Sequence, residues 1–238
     1  MSPAPRRSGS GAKDVLAWLE RRGTKKNVAM LSRYGITARD PFGVTVGDLR
    51  KYAKGLGTDH ALAAALWASG RYEAQLLAAF VDDPEQVTTR QMNVWAADFD
   101  NWAVTDTVCF ALFDRSPLAW KRIPVWAKSK HEFTKRGAFA LLWSLSVHDR
   151  KAADAVFVRC LPLVERAAAD ERDLVKKGVD MALRAVGKRN VALHAAAVAT
   201  ARRLAATEGG SSRWIGRHAL RELESPAVKR RLAKARRG

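Results

Sequence analysis

Cysteine is almost missing from this chain. Cys109 and Cys160 are the only two, they lie far apart, and they form no CxxC pair. That excludes a disulfide scaffold and a cysteine-based zinc knuckle. Both fall in apolar helical patterns, which predicts buried, reduced thiols. Histidine is sparse and scattered (His60, His131, His148, His194, His218), with no HExxH or paired Cys/His spacing, so no metal is expected. No apolar run is long and charge-free enough to cross a bilayer, and no membrane association is expected. The N-terminal MSPAPRRSGSG has no apolar core segment, so no secretory leader is expected and a cytoplasmic location is. Strand-like alternation is absent as well. Carboxylates are outnumbered, 24 Asp and Glu against 42 Lys and Arg, for a formal net charge of +18.

Such an excess attracts polyanions, because each neutralised phosphate releases condensed counterions. Nucleic acid is the expected partner, and nucleoid DNA the expected place. A merely solubilising or ribosome-associated basic surface is the competing explanation.

What is present is helix. Hydrophobic residues make up 47% of the chain, and from residue 12 onward Ala, Leu, Arg and Glu dominate. Breaks recur at Gly35, Pro41, Gly55 to Asp59, Pro84, Pro117, Pro124, Asp149, Gly209 and Pro226. Thr45, Thr58, Ser116 and Ser225 are candidate N-caps. Residues 1–11 read as a disordered basic tail, and 12–238 as one all-α domain of stacked antiparallel helix pairs, a HEAT-like solenoid with a basic concave face. A closed helical bundle is the alternative. Lys54-Gly55-Leu56-Gly57-Thr58 reads as an ordinary helix C-cap rather than a DNA-binding hairpin.

Three segments carry the most information. Over 173–188, Val175, Val179, Ala182 and Val186 form a core stripe. Lys177, Met181, Arg184 and Lys188 follow the same spacing on nearly the opposite side, widened by Lys176 and Arg189. Such a stripe is either a solvated face or a phosphate-binding one. Near Asn101, Trp102 and Asp106 stand four apart and share a helix face, an arrangement that also suits an acid near a helix dipole. Arg136 opens a segment apolar on nearly every side. It needs a partner there, either an acid from a neighbouring helix or a phosphate. The last segment, with Arg213, Trp214, Arg217, Arg221 and further basic residues to Arg237, is a DNA grip or a frayed tail.

These blocks, ADFDNWAVTD at 97–106, FTKRGAFALL at 133–142 and DERDLVKKGVDMALRAVGKRN at 170–190, resemble the AlkD-type DNA alkylation-repair glycosylases. Tyr34 and Phe42-Gly43-Val44 fit the same family, and the likeness runs from about Lys26 to Leu223. The resemblance implies a HEAT-like fold and excision of positively charged N3- and N7-alkylated purines from double-stranded DNA. It further implies base excision repair without a deep base-flipping pocket; no lysine sits in a recognisable nucleophile motif, so a monofunctional enzyme is expected, with no cofactor and as a monomer. By the same resemblance Asp106 is the catalytic aspartate, Trp102 touches the deoxyribose, Arg136 contacts a phosphate beside the lesion, and Tyr34 lies at the concave site. Two positions depart from the pattern. Ala103 replaces the first Asp of Trp-Asp-x-x-Asp, and Met181 stands where the family has a second tryptophan. Met181 is then either a surface residue or an apolar contact to the sugar.

The chemistry fits those residues. A cationic alkylpurine leaves neutral, so no general acid is needed, and a fixed carboxylate stabilises the developing oxocarbenium. Lys176, Lys177, Arg184, Lys188 and Arg189 are the expected backbone contacts. A non-catalytic binder of distorted or branched DNA, and a HEAT-like protein scaffold, are the competing functions.

Overall fold

The computed structural model describes residues 11–235. The expected tail, 1–11, lies outside the described residues except for Gly11, as do Arg236 and Arg237. Among the described residues there are fourteen α-helices, one 3-10 turn and no strand. None of these helices is long and apolar enough to cross a membrane. The chain from residue 12 onward divides into two compact units, one through Trp95 and one from Ala96.

The first unit contains α1 (Ala12–Arg22), α2 (Lys25–Arg33), α3 (Val46–Leu56), α4 (His60–Ala68) and α5 (Tyr72–Val81); α6 (Thr89–Asp98) spans the boundary. Helix α5 is its centre, buried along nearly its whole length against α1, α3 and α4. Within it Glu73 is fully buried, and its carboxylate accepts the backbone N–H groups of Phe42, Gly43 and Val44 at 2.7 to 3.2 Å. Three amide donors are what a buried carboxylate requires. Gly43 has φ 84°, and a Cβ there would fall 2.2 Å from the Thr24 carbonyl oxygen, so only glycine fits this crossing.

The caps follow local chemistry. Thr45 caps α3 by accepting from Asp48 N, as its position suggested. The cap of α4 is Asp59 rather than Thr58, because the Asp59 carboxylate reaches Leu62 N at 2.8 Å. Gly57, with φ 77°, ends α3 as the expected C-cap.

The second unit contains α7 (Trp102–Ala111), α8 (Ala119–Trp126), α9 (Glu132–His148), α10 (Asp154–Ala167), α11 (Asp173–Gly187), α12 (Val191–Ala205), α13 (Gly210–Leu223) and α14 (Pro226–Ala235). Helices α7, α9, α11 and α13 neighbour one another in one row, and α8, α10 and α12 form a second row across from them. This two-row stacking is the arrangement expected of paired helices. The predicted core stripe of α11 is fully buried at Val175, Val179, Ala182 and Val186. Asn101 caps α7, and Ser225 caps α14 with Pro226 in the first helical position. Ser116 instead serves a turn, its Oγ accepting from Leu118 N. Both cysteines are free and buried. Gly216 sets the α12–α13 contact, since a Cβ there would lie 2.2 Å from Ala205 N.

Candidate nucleic-acid site

The site is built where α7, α9 and α11 meet. Asn101 fixes the start of α7, so Trp102 and Asp106 stand one turn apart on one face. Glycines bring the helices close. A Cβ on Gly137 would lie 3.3 Å from Phe99, and one on Gly178 3.3 Å from Cγ of Arg136. Arg136 therefore sits in a narrow space between α7 and α11.

Each nitrogen of its guanidinium has a partner. Nε donates to Oδ1 of Asp106 at 2.9 Å, and Nη2 to Oδ2 at 2.6 Å. Nη1 donates to the Leu174 carbonyl at 2.7 Å. The arginine side chain is only 5% exposed, while that of Asp106 is 16% exposed. Of the two partners left open for Arg136 by its position, the acid from a neighbouring helix is the one observed.

Asp106 thus presents a partly open edge. A carboxylate has about four lone-pair sites and the arginine fork occupies two of them. Burial pushes the Asp106 carboxyl above the ordinary aspartate value, while the charge and hydrogen bonds of Arg136 pull it down. Burial also pushes the Cys109 thiol well up, helped by the negative charges of Asp106 and Asp114. That thiol is no nucleophile.

Met181 follows Leu174 and Gly178 at steps of four and three, which places it on the α11 face that carries the Arg136 contacts, and it is half-buried. Trp102 is likewise half-buried. Tyr34 belongs to the first unit, where it is the C-cap residue of α2 and 62% exposed.

The basic stripe of α11 differs from expectation in its charge balance. Arg184 pairs with Asp180 and with Glu222, and Lys188 pairs with Glu222 at 2.6 Å. Lys176 pairs with Asp173 at 2.5 Å and lies 5.4 Å over the Trp214 ring. Arg189 donates to the Ser146 and Ala152 carbonyls and stacks on Phe157. Lys177 alone of the five is exposed without an ion pair among the described contacts. Four of the five residues expected at the phosphates, Lys176, Arg184, Lys188 and Arg189, therefore also have partners within the protein.

The arginines left as a DNA grip or a frayed tail lie on a formed helix, and sequence reasoning missed the histidine contact beside them. Arg213, Arg217 and Arg221 follow i, i+4, i+8 spacing on α13 and line a surface groove with Trp214 and His218. The His218 Nδ1 lies 3.0 Å from both Asp180 oxygens. Among the described residues, no group of three or more His, Cys, Asp or Glu is disposed to hold a metal ion.

A family model described as DNA alkylation repair enzyme matches residues 15–223. No curated protein sequence matches the chain. One solved structure superposes with a TM-score of 0.73 at 21% identity, covering 90% of this chain and 95% of that one. It is described as one of a new family of proteins related to the HEAT-like repeat DNA glycosylases, with affinity for branched DNA structures. The likeness establishes a HEAT-like repeat fold for this all-helical chain.

Proposed function

Since the chain belongs to the DNA alkylation repair enzyme family, we propose that it excises cationic N3- or N7-alkylated purines from double-stranded DNA by hydrolysing the N-glycosidic bond. The observation that carries this reading is the bidentate Asp106–Arg136 pair, with its carboxylate partly open beside Trp102.

Loss of an alkylpurine leaves positive charge on the sugar. A carboxylate already oriented by a guanidinium meets that charge without reorganising, which is the source of most electrostatic catalysis. The base departs neutral, so a second carboxylate acting as general acid is not needed. Trp102 offers its negative π-face to the same sugar. Arg136 acts through Asp106 and is a positioning residue. Lys177 and the arginines of α13 supply cations for the backbone. The reaction needs no cofactor, and the proposed setting is chromosomal DNA in the cytoplasm, with the protein acting as a monomer.

A second reading is favoured by Met181, which removes one aromatic wall from the proposed sugar site. In that reading the protein holds distorted or branched DNA without excising a base, in keeping with the affinity described for the structural relative. Incubation with methylated duplex DNA, followed by chromatography of released 3-methyladenine and 7-methylguanine, separates the two. Base release supports the glycosylase. No release at saturating protein, with DNA binding intact, leaves the second reading.

A further inference from the structure

The helix faces that meet at Asp106 extend beyond it. The α9 face that carries Arg136 continues through Ala140, Trp143 and Val147 at steps of four, three and four. The α11 face that carries Met181 continues through Ala185 and Lys188. The two helices run parallel: Arg136 reaches Leu174 near their N-terminal ends, and Arg189 reaches Ser146 near their C-terminal ends. Between the continuing faces opens a surface cavity of about 660 Å³. By helix rise it begins roughly 10 Å beyond the Arg136 level. Its volume is in the range that holds a small organic ligand.

Its lining is of two kinds. Trp143 and Val147 are apolar, with Val147 49% exposed, and Phe110 meets the Trp143 ring edge-on at 4.6 Å. Arg150, Lys188, Arg189 and Arg231 are cationic, and no carboxylate lines the cavity. Of the four cations only Lys188 has a carboxylate partner among the described contacts, Glu222, which it shares with Arg184. Arg189 and Arg231 donate to backbone carbonyls, which accept hydrogen bonds but cancel no charge. Arg150 is exposed and has no side-chain partner among the described contacts. Helix dipoles favour cations at the C-terminal ends of α9 and α11. They favour Arg150, two residues past α9, as well as Arg189 beyond α11, but they bring no carboxylate, and Arg150 lines the same cavity as an exposed valine and a tryptophan.

We propose that this cavity is a subsite for one unstacked nucleotide of a DNA strand, with phosphate on Arg150, Lys188 and Arg231 and base against Trp143 and Val147. The assignment rests on the reading of this unit as DNA-binding. Aromatic and cationic groups together are the chemistry that holds single-stranded nucleic acid. A nucleotide in a perfect duplex must first leave its stack, whereas one in a flap or fork has already done so. The subsite therefore confers preference for DNA with an unpaired stretch next to the duplex that meets Asp106.

The test is fluorescence anisotropy of the full chain on two labelled DNAs with equal numbers of phosphates, a blunt duplex and a fork with a single-stranded thymidine arm. Wild type is expected to bind the fork about tenfold more tightly. Arg150→Glu and Val147→Glu, both at exposed positions, are expected to erase that ratio, and Lys51→Glu, a charge-matched change in the first unit, to preserve it. A ratio unchanged in Arg150→Glu and Val147→Glu overturns the proposal, as does an equal loss on both DNAs. Competition by free AMP or inorganic phosphate as effective as by a thymidine oligonucleotide also overturns it, in favour of a small-molecule site. Base release from blunt methylated duplex is expected to persist in Arg150→Glu. Wild type that prefers the fork but releases no base supports the subsite while sinking the glycosylase; base release with no fork preference does the reverse.

Discussion

Arg136 holds Asp106 by both carboxylate oxygens, at 2.9 and 2.6 Å, from a helix thirty residues further along the chain. The pair gives a negative side chain a fixed direction in a protein of net charge +18. Its energetics and its chemistry are separable. Removing Asp106 alone, as Asp106→Ala, leaves a buried guanidinium without its counterion and is expected to lower stability by about 3–5 kcal/mol. Replacing both partners, as Asp106→Leu with Arg136→Met, is expected to restore most of that loss without restoring base release. Urea denaturation of the single and double variants measures the first effect. Equal instability in both would mean that the pair is not what the residues exchange.

Lys177 and Arg184 are neighbours on one stripe, yet only Lys177 lacks a carboxylate partner. Lys177→Ala is expected to reduce the slope of log affinity against log salt by about 1. Arg184→Ala is expected to leave that slope nearly unchanged and to lower thermal stability, because it leaves Asp180 with His218 alone and removes one of the two cations on Glu222. Binding titrations at several salt concentrations decide between these assignments. A full unit of slope lost in Arg184→Ala would show that the ion pairs open on DNA.

That contrast marks where the sequence was legible. The core stripe of α11 was visible from spacing, since burial of Val175, Val179, Ala182 and Val186 is a property of one helix. The need of Arg136 for a partner was visible too, because a charge in an apolar helix must be satisfied. Its choice of Asp106 was not, as it depends on how α7 and α9 pack. The pairing of Arg184 with Asp180 follows i, i+4 spacing and could have been read, but that of Lys188 depends on Glu222, more than thirty residues away, and no local pattern announces it. The cap of α4 slipped by one residue, from Thr58 to Asp59, where two adjacent side chains both suit the role and a carboxylate accepts more strongly than a hydroxyl.

The acid limb of stability has a specific source. Hydrogen bonds from Arg172 and Lys135 hold the Asp170 carboxyl far below the usual carboxylate range. A lowered native value means that this stabilisation is fully present above the unfolded-state value, about 3.9, and is lost as pH falls below it. Asp170→Asn is expected to lower stability at neutral pH and to flatten the fall below about pH 4. Thermal melts from pH 7 to pH 2 check it, and an unchanged acid slope would assign the effect to other carboxylates.

Met181 occupies the α11 face that follows Leu174 and Gly178. Met181→Trp is expected to maintain or raise base release, with Trp102 then facing a second aromatic across the sugar. Single-turnover release from methylated duplex measures it. A marked loss in a stably folded variant would mean that this face of α11 does not meet the deoxyribose.

The most direct test of the account is single-turnover release of 7-methylguanine by wild type and by Asp106→Asn, under conditions where both are folded and bind duplex DNA equally. Asparagine preserves size and an acceptor for Arg136 but removes the charge. The account predicts measurable release by wild type and a fall of about 10²–10³-fold in the variant. Equal rates in the two proteins, or no release by wild type, would contradict it.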